Sequence, residues 1–431
     1  MEQVFMFPLQ QHIGMRSVPI VQKGDTVKRG QLIAAAASEA LGSNIFSSVS
    51  GVVEIVTDTA IEIIASEQQS LEFIRLQSTE SWDLIREAGI VGLGGAGFPT
   101  YAKLSRPFSG EGVVIANASE CEPILAHNIA AIEEDAGKLV RGLEIAMDIV
   151  HAAKGIIAIK EIHEKAIRKL RDVVTDSRIV LHVLPNSYPV GEERAIVREV
   201  LGRLLETDQL PLAAAAIVIN AESLCKVQEA VDDKKPFIDK DVTVAGKIKG
   251  ELIQVLRNVP LGLPVRALLE RAGGLQDEYG ELIMGGPFMG HRTERDAPIV
   301  KTTGGIIAAE TFLKGPDTIG LLVCACGGDQ ARLEQLAASM GSEVVAVEFC
   351  KQAKRMKNGT RKCENPGICP GQVQKVLAIK KAGAQGILIS NCTDCSNTVM
   401  SCAPQLKLPV YHCTDGALRA VNHKLVRRIK T

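Results

Sequence analysis

Short apolar pieces separated by turn residues fill the first part of the chain, to about residue 68. The segment VPIVQKGDTVKRGQLIAAA sets Gly24-Asp25 and Arg29-Gly30 between β-rich pieces, and NIFSSVSGVVEIV repeats the arrangement around Gly51. This pattern predicts short strands folded as a small β barrel-sandwich over 1–68. From 69 to 234 the period changes. The compact apolar runs VVIANA, GIIAIK, IVLHVLP and AAIVINA have the character of buried parallel strands. Helical stretches such as IAAIEEDAGKLVRGLEIAMDIVHAA and HEKAIRKLRDVV separate them, predicting a Rossmann-like α/β layer domain. Residues 235–313, with DVTVAGKIKG, NVPLGLPV and LIMGGPFMGH, predict a smaller mixed β/α unit that ends at Gly315-Pro316. From 314 to 431, TIGLLVC, EVVAVEFC, GILISNC and LPVYHC are strand candidates interleaved with helices, which predicts a parallel α/β unit. The fold class expected is therefore α/β, in four domains.

Composition narrows the partners. Aromatic residues make up only 3% of the 431, which disfavours a base-stacking nucleic-acid binder. Lys plus Arg number 49 against 50 Asp plus Glu, so no field draws the chain to nucleic acid or an anionic membrane. No apolar run is long enough for a transmembrane segment. MEQVFMFPLQQ lacks the basic and apolar regions of a signal peptide, so a soluble cytoplasmic protein is expected. The basic end HKLVRRIKT is expected to be a solvated last helical turn.

The chemistry gathers at strand ends. GIVGLGGAGFPTYAK places Gly92, Gly94, Gly95 and Gly97 in a loop whose backbone can approach a phosphate closely. NASECEP follows the strand VVIANA and carries Asn117, Glu120 and Glu122. SYPVGEE opens a helix whose free N–H groups suit an anion, and INAES puts Asn220 at another strand end. Taken singly, the acidic pairs read as helix-start or solvated residues and Asn220 as a turn former; together they sit where an open parallel sheet binds ligands. His127 reads as an exposed helix histidine, and His412 as a candidate for activating Cys413.

Nine of the eleven cysteines follow position 320. In a cytosolic chain such crowding points to metal or redox thiols rather than structural disulfides. Cys324, Cys350, Cys392 and Cys413 each close a strand candidate and would share one sheet edge. Cys392 and Cys395 form a CxxC, which suits dithiol exchange or a metal. Cys395 lies at a helix start, where a thiolate is stabilised, and Cys402 falls on roughly the same helical face. Cys363 and Cys369 add a loop pair. The candidate redox thiols are Cys324, Cys326, Cys392 and Cys395. An iron–sulfur or zinc site on Cys363, Cys369, Cys392, Cys395 and Cys402 is the alternative that is not favoured.

GLGGAGFPTYAK, NASECEP, SYPVGEE and INAES, in this order, resemble the flavin- and NADH-binding core of the complex I flavoprotein subunit. They are more similar still to the C subunit of Rnf ferredoxin:NAD oxidoreductases, to which HIG, VQKGDTVKRGQ, SSVSGVV and GGPFMG also correspond. The first segment also resembles biotinyl/lipoyl carrier domains, but no lysine lies between Ala34 and Ser50 to serve as a swinging arm. By this resemblance residues 235–313 are expected to be an SLBB-like β-grasp domain. The resemblance implies FMN and NADH as cofactors. Gly92, Gly94, Gly95 and Lys103 would meet the flavin phosphate or ring. Asn117, Glu120 and Glu122 would line the flavin, with one carboxylate near the nicotinamide and Glu122 in a catalytic role. Tyr188, Gly191, Glu192, Glu193 and Asn220 would complete the pocket, and Phe98 would stack on adenine.

Leu93 stands where the complex I family has arginine, and Ser119 where it has aspartate. The two CxxCxxCxxxCP runs of Rnf C subunits are absent, so two classical tetranuclear clusters are not expected. An Rnf-C-like core joined to a cysteine-rich tail is similar to the proline reductase-associated electron-transfer proteins (the PrdC family). That resemblance implies electron flow from NADH through flavin and thiols to D-proline reductase or another selenoenzyme-type reductase, with homo-oligomerisation left open. An Rnf-type subunit with an iron–sulfur cluster, and a non-catalytic docking scaffold, are the alternatives.

Overall fold

The computed structural model describes residues 3–37, 40–390 and 393–427. The N-terminal strands form two facing antiparallel sheets. One has the order Val4–Pro8, Ala60–Ala65, Gly51–Val56, Thr26–Val27; the other has Val18–Pro19, Leu32–Ala35, Ile45–Phe46. Val4–Pro8 buries every second side chain, and Phe5, Phe7, Ile33, Ile61 and Ile63 fill the space between the sheets.

The next unit is a four-stranded parallel sheet in the order Ile179–Leu184, Lys154–Lys160, Val113–Ala118, Ala216–Asn220. The first of these strands in the chain is internal: two crossovers lead outward on one side, and the last strand adds to the other. The direction of winding therefore reverses between Val113–Ala118 and Ala216–Asn220, where Asn117 and Asn220 are register partners. Ligands of open α/β sheets bind outside the strand ends at such a reversal.

A mixed five-stranded sheet follows, ordered Ile253–Pro260, Asp239–Gly246, Gly305–Ala308, Leu282–Met284, His291–Thr293. Lys301 joins this unit to the two before it. Its buried ammonium donates to Ser43 Oγ at 2.9 Å, Asn44 O at 2.6 Å and Gly89 O at 2.7 Å.

The four strand candidates of the last unit do form one parallel sheet, ordered Glu343–Phe349, Thr318–Val323, Gly386–Ile389, Val410–His412. Cys324, Cys350 and Cys413 come directly after three of these strands. Cys392, expected at the fourth strand end, lies outside the described residues, as does the side chain of Cys395. A hairpin of Ala353–Arg355 and Arg361–Cys363 packs Ala353 and Cys363 in one cluster with Cys324 and Cys350. The described start of the basic end, residues 423–427, departs from expectation. The final helix, Asp415–Ala420, stops before it, because Asn422 adopts a left-handed φ of 55°. Arg427 instead turns back to Asp415 Oδ2 at 2.7 Å. Among the described residues no helix is long and apolar enough to cross a membrane.

Candidate functional site

At the sheet reversal lies a cavity of about 660 Å³, within the range of small-molecule sites. Three units build it. The parallel sheet contributes the glycine loop and its strand ends, the mixed sheet contributes Met284–Gly286 and Thr302–Gly304, and the last unit contributes Cys326 and Arg361–Cys363.

The glycine loop is pinned at its base. Gly92 N–H donates to Phe98 O at 2.8 Å, and Leu93 N–H to Ser223 Oγ at 3.0 Å. Beyond that base, Gly94, Gly95 and Ala96 border the cavity, and their N–H groups meet no acceptor among the described residues. A Cβ on Gly94 would fall 2.5 Å from Asn220 Nδ2, whereas one on Gly95 would meet no protein atom within 4 Å. Asn220 keeps its turn-forming role while facing the loop: its Oδ1 caps the helix Ala221–Asp232 by accepting from Glu222 N–H at 2.8 Å and Ser223 N–H at 3.4 Å. Glu192 caps the helix Glu193–Leu201 in the same way.

Asn117 braces the opposite side. Its Nδ2 donates to Gly191 O at 2.9 Å, and its Oδ1 accepts from Ser119 Oγ at 2.8 Å. Gly191 is required there, since a Cβ would come within 2.3 Å of Ser119 Oγ and 2.6 Å of Cys121 Sγ. Glu120 sits at φ 30°, held by Asn128 Nδ2 on its Oε2 at 2.7 Å and Lys160 Nζ on its carbonyl at 3.1 Å. Asn128 Oδ1, buried on the cavity wall, has no hydrogen-bond partner. Glu122 is gripped by the mixed-sheet unit: Phe288 N–H and Met289 N–H each donate to its carboxyl at 2.8 Å. Phe288 in turn lies flat on Tyr188, with ring centroids 3.8 Å apart and planes 8° from parallel. Tyr188, on the cavity wall, and Phe288 behind it pack in one apolar cluster with Cys326.

Burial pushes Glu120 and Glu122 up to about 7, with Asn128 and the two backbone donors working against it. A carboxyl whose folded value lies above its ordinary 4.5 binds its proton more tightly in the native state. Stability of the ligand-free protein is therefore expected to fall as pH rises from about 4.5 to about 7. Denaturant midpoints across that range should show the slope, and Glu122→Gln should flatten it; a flat profile in the parent protein would contradict the assignment.

The expected site residues divide in two. Gly94, Gly95, Asn117, Glu120, Glu122, Tyr188, Gly191, Glu192 and Asn220 border the cavity. Gly92, Phe98, Lys103 and Glu193 do not. Lys103 donates to Glu193 and, at 2.9 Å, to Val218 O, so its charge is spent behind the sheet end. His127 is not the exposed residue expected. It is buried on the cavity wall, because the helix His127–Ile149 starts against the mixed sheet, with Nδ1 3.1 Å from Thr243 Oγ1. Burial and Lys240 hold it well below 6.5, so it is neutral. His412 Nδ1 lies 3.8 Å from Cys413 Sγ but also accepts Thr414 N–H at 3.2 Å, and burial pushes the Cys413 thiol up to about 12. Asn128, Arg194 and Arg361 are wall residues the sequence did not single out. No local period marks them, and Arg194 is signalled only by its place after Glu192-Glu193.

Of the described tail thiols, Cys326 and Cys363 reach the wall. Cys402 turns back on its own helix, with Sγ 3.4 Å from Thr398 O, and Cys369 lies 3.4 Å from Thr398 Oγ1. Among the described residues no three His, Cys, Asp or Glu converge as metal ligands.

Residues 85–229 match the Nuo51 FMN-binding domain, and residues 1–74 match the RnfC barrel sandwich hybrid domain. The C subunit of the proton-translocating ferredoxin:NAD(+) oxidoreductase complex of Clostridium ljungdahlii is 33% identical over 326 residues, covering 71% of this chain and 70% of that protein. The chain belongs to the Rnf C subunit family. The Na(+)-translocating counterpart of Acetobacterium woodii is 31% identical over 326 residues, covering 71% of this chain and 73% of that protein. Cobalamin reductase PduS of Salmonella typhimurium is 36% identical over 233 residues, covering 54% of this chain and 50% of the reductase. The chain thus spans about 70% of the two Rnf proteins and half of the cobalamin reductase.

The family's FMN-binding domain is consistent with the residues present. Unused N–H donors on the glycine loop suit a phosphate, and the partnerless Asn128 Oδ1 awaits a donor such as a ring or ribityl group.

Proposed function

We propose that this Rnf-C-like protein is a cytoplasmic, NADH-linked FMN electron-transfer protein that passes electrons through tail thiols to a partner reductase of the D-proline reductase class. One observation carries the reading: the glycine loop and the thiols of Cys326 and Cys363 border the same cavity. When bound, FMN supplies a centre that accepts two electrons from a reduced nicotinamide and gives them up singly or in pairs.

The chain's own residues bind, orient and shield. The N–H groups of Gly94, Gly95 and Ala96 hold the phosphate. Gly92, and Lys103 paired with Glu193, support the loop from behind. Asn117, Glu120, Asn128 and Asn220 supply acceptors and donors for the rest of the cofactor, with Tyr188, Gly191 and Glu192 shaping the wall. Glu122, fixed by two backbone donors, is the carboxyl placed near the nicotinamide, and half-buried Phe98 outside the cavity is the platform for adenine.

The test is the absorbance spectrum of anaerobically purified protein before and after NADH, with thiols counted in parallel. Bound flavin that bleaches with NADH, and a rise in free thiols, are expected. Absence of flavin even after reconstitution would sink the reading. An Rnf-type role within a redox complex is a second reading, favoured by the coverage of the two Rnf proteins. Stoichiometric iron and acid-labile sulfide would select it.

A further inference from the structure

Cys326 and Cys363 come from different elements. Cys326 follows the strand Thr318–Val323 in a turn, and Cys363 ends the hairpin strand Arg361–Cys363. Both carry free thiols, both border the cavity, and each sulfur lies within hydrogen-bond reach of the other. Cys324 also reaches Cys326.

Their surroundings differ. Gln352 Oε1 lies 3.6 Å from the Cys363 sulfur and accepts its S–H while that thiol is protonated. The same sulfur accepts the Cys326 S–H and the backbone N–H of Asn365, and the Arg194 guanidinium lies nearby. Arg194 is itself anchored to the Cys363 carbonyl and to Leu205 O. The two donors and the guanidinium hold Cys363 below the usual thiol range, while the two neighbouring sulfurs and burial keep Cys326 protonated. A thiol that ionises more readily than usual, beside one that keeps its proton, is the starting arrangement for thiol–disulfide exchange.

We propose that Cys326 and Cys363 are a redox pair that cycles between two thiols and one disulfide on the cavity wall, exchanging with small organic disulfides. The Cys363 thiolate attacks one sulfur of the incoming disulfide. That S–S bond breaks, and the distal sulfur leaves as a thiolate and takes a proton. The Cys326 thiol then loses its proton and attacks the Cys363 sulfur, breaking the mixed disulfide and releasing the second small thiol. The pair gives up two electrons and two protons and gains one S–S bond; the small disulfide takes up both electrons and both protons and becomes two thiols. The inference deepens the proposed function and rests on it only for the source of the electrons that reduce the pair again.

The experiment uses the full chain, reduced anaerobically, freed of reductant and treated with dithiodipyridine. Remaining thiols are then alkylated, and the digest is mapped by mass spectrometry. A linked peptide pair joining Cys326 to Cys363 is expected. Cys324→Ser should keep it, whereas Cys326→Ser should leave a lasting thiopyridyl adduct on Cys363. A Cys324–Cys326 link, or adducts on both Cys326 and Cys363 in the parent protein, would overturn the proposal. The parent map needs no variant to fold. Flavin absorbance read on the same samples separates the two failures: a link without bound FMN refutes the proposed function and leaves the pair standing.

Discussion

Gly95→Val is expected to weaken FMN binding roughly 10- to 100-fold, the cost of displacing one or two charge-assisted hydrogen bonds to a phosphate. The new side chain would meet no protein atom at Cβ, so the unfolding midpoint should stay where it is. Quenching of flavin fluorescence on titration gives the affinity, and circular dichroism gives the melt. Gly94→Ala is the companion variant. Its Cβ would strike Asn220 Nδ2 at 2.5 Å and disturb a helix cap, so it should lose both affinity and some stability. Unchanged affinity in Gly95→Val would remove the loop from the binding site.

Lys240→Met should cost about 3–5 kcal/mol of stability, the penalty for stranding a buried charge partner. Lys240 is fully buried and donates to Glu222 Oε2 at 3.2 Å and Thr303 O at 2.7 Å. Burial already pushes Glu222 above its ordinary range, and Lys240 is the main counterweight. Without it the carboxyl binds its proton more tightly in the native state, so stability falls as pH rises through the titration. The deficit should therefore shrink toward acid pH, and Glu222→Gln in the same chain should restore part of the loss. Urea midpoints at several pH values decide it; a pH-independent deficit below about 1 kcal/mol would mean that the pair is not the main electrostatic link at this site.

The parts of this architecture that are local were legible. VVIANA and AAIVINA are apolar because both faces of their sheet are covered, and each carries, as its next-to-last residue, the asparagine that marks the sheet reversal. Cys324, Cys350 and Cys413 were legible as strand-end cysteines for the same reason. What escaped depends on contacts between distant segments. His127 reads as exposed until the mixed sheet supplies Thr243 beside it. Lys103 reads as a phosphate ligand until Glu193, ninety residues on, claims it. Cys363 sits in a loop-like stretch of sequence, and only the hairpin brings its sulfur to Cys326. The basic end reads as helical until a left-handed Asn422 turns it away.

The two parallel sheets present their carboxyl ends to a shared space: Asn117 and Asn220 from one, Cys326 just past a strand of the other. Strand cores fix each sheet, but turns fix the spacing between the ends. Changes in the turn after Val323 would move Cys326 relative to Asn117 and Asn220 while leaving the strand cores of both sheets in place. Donor and acceptor modules joined in this way can be retuned by editing a few residues of one connecting turn.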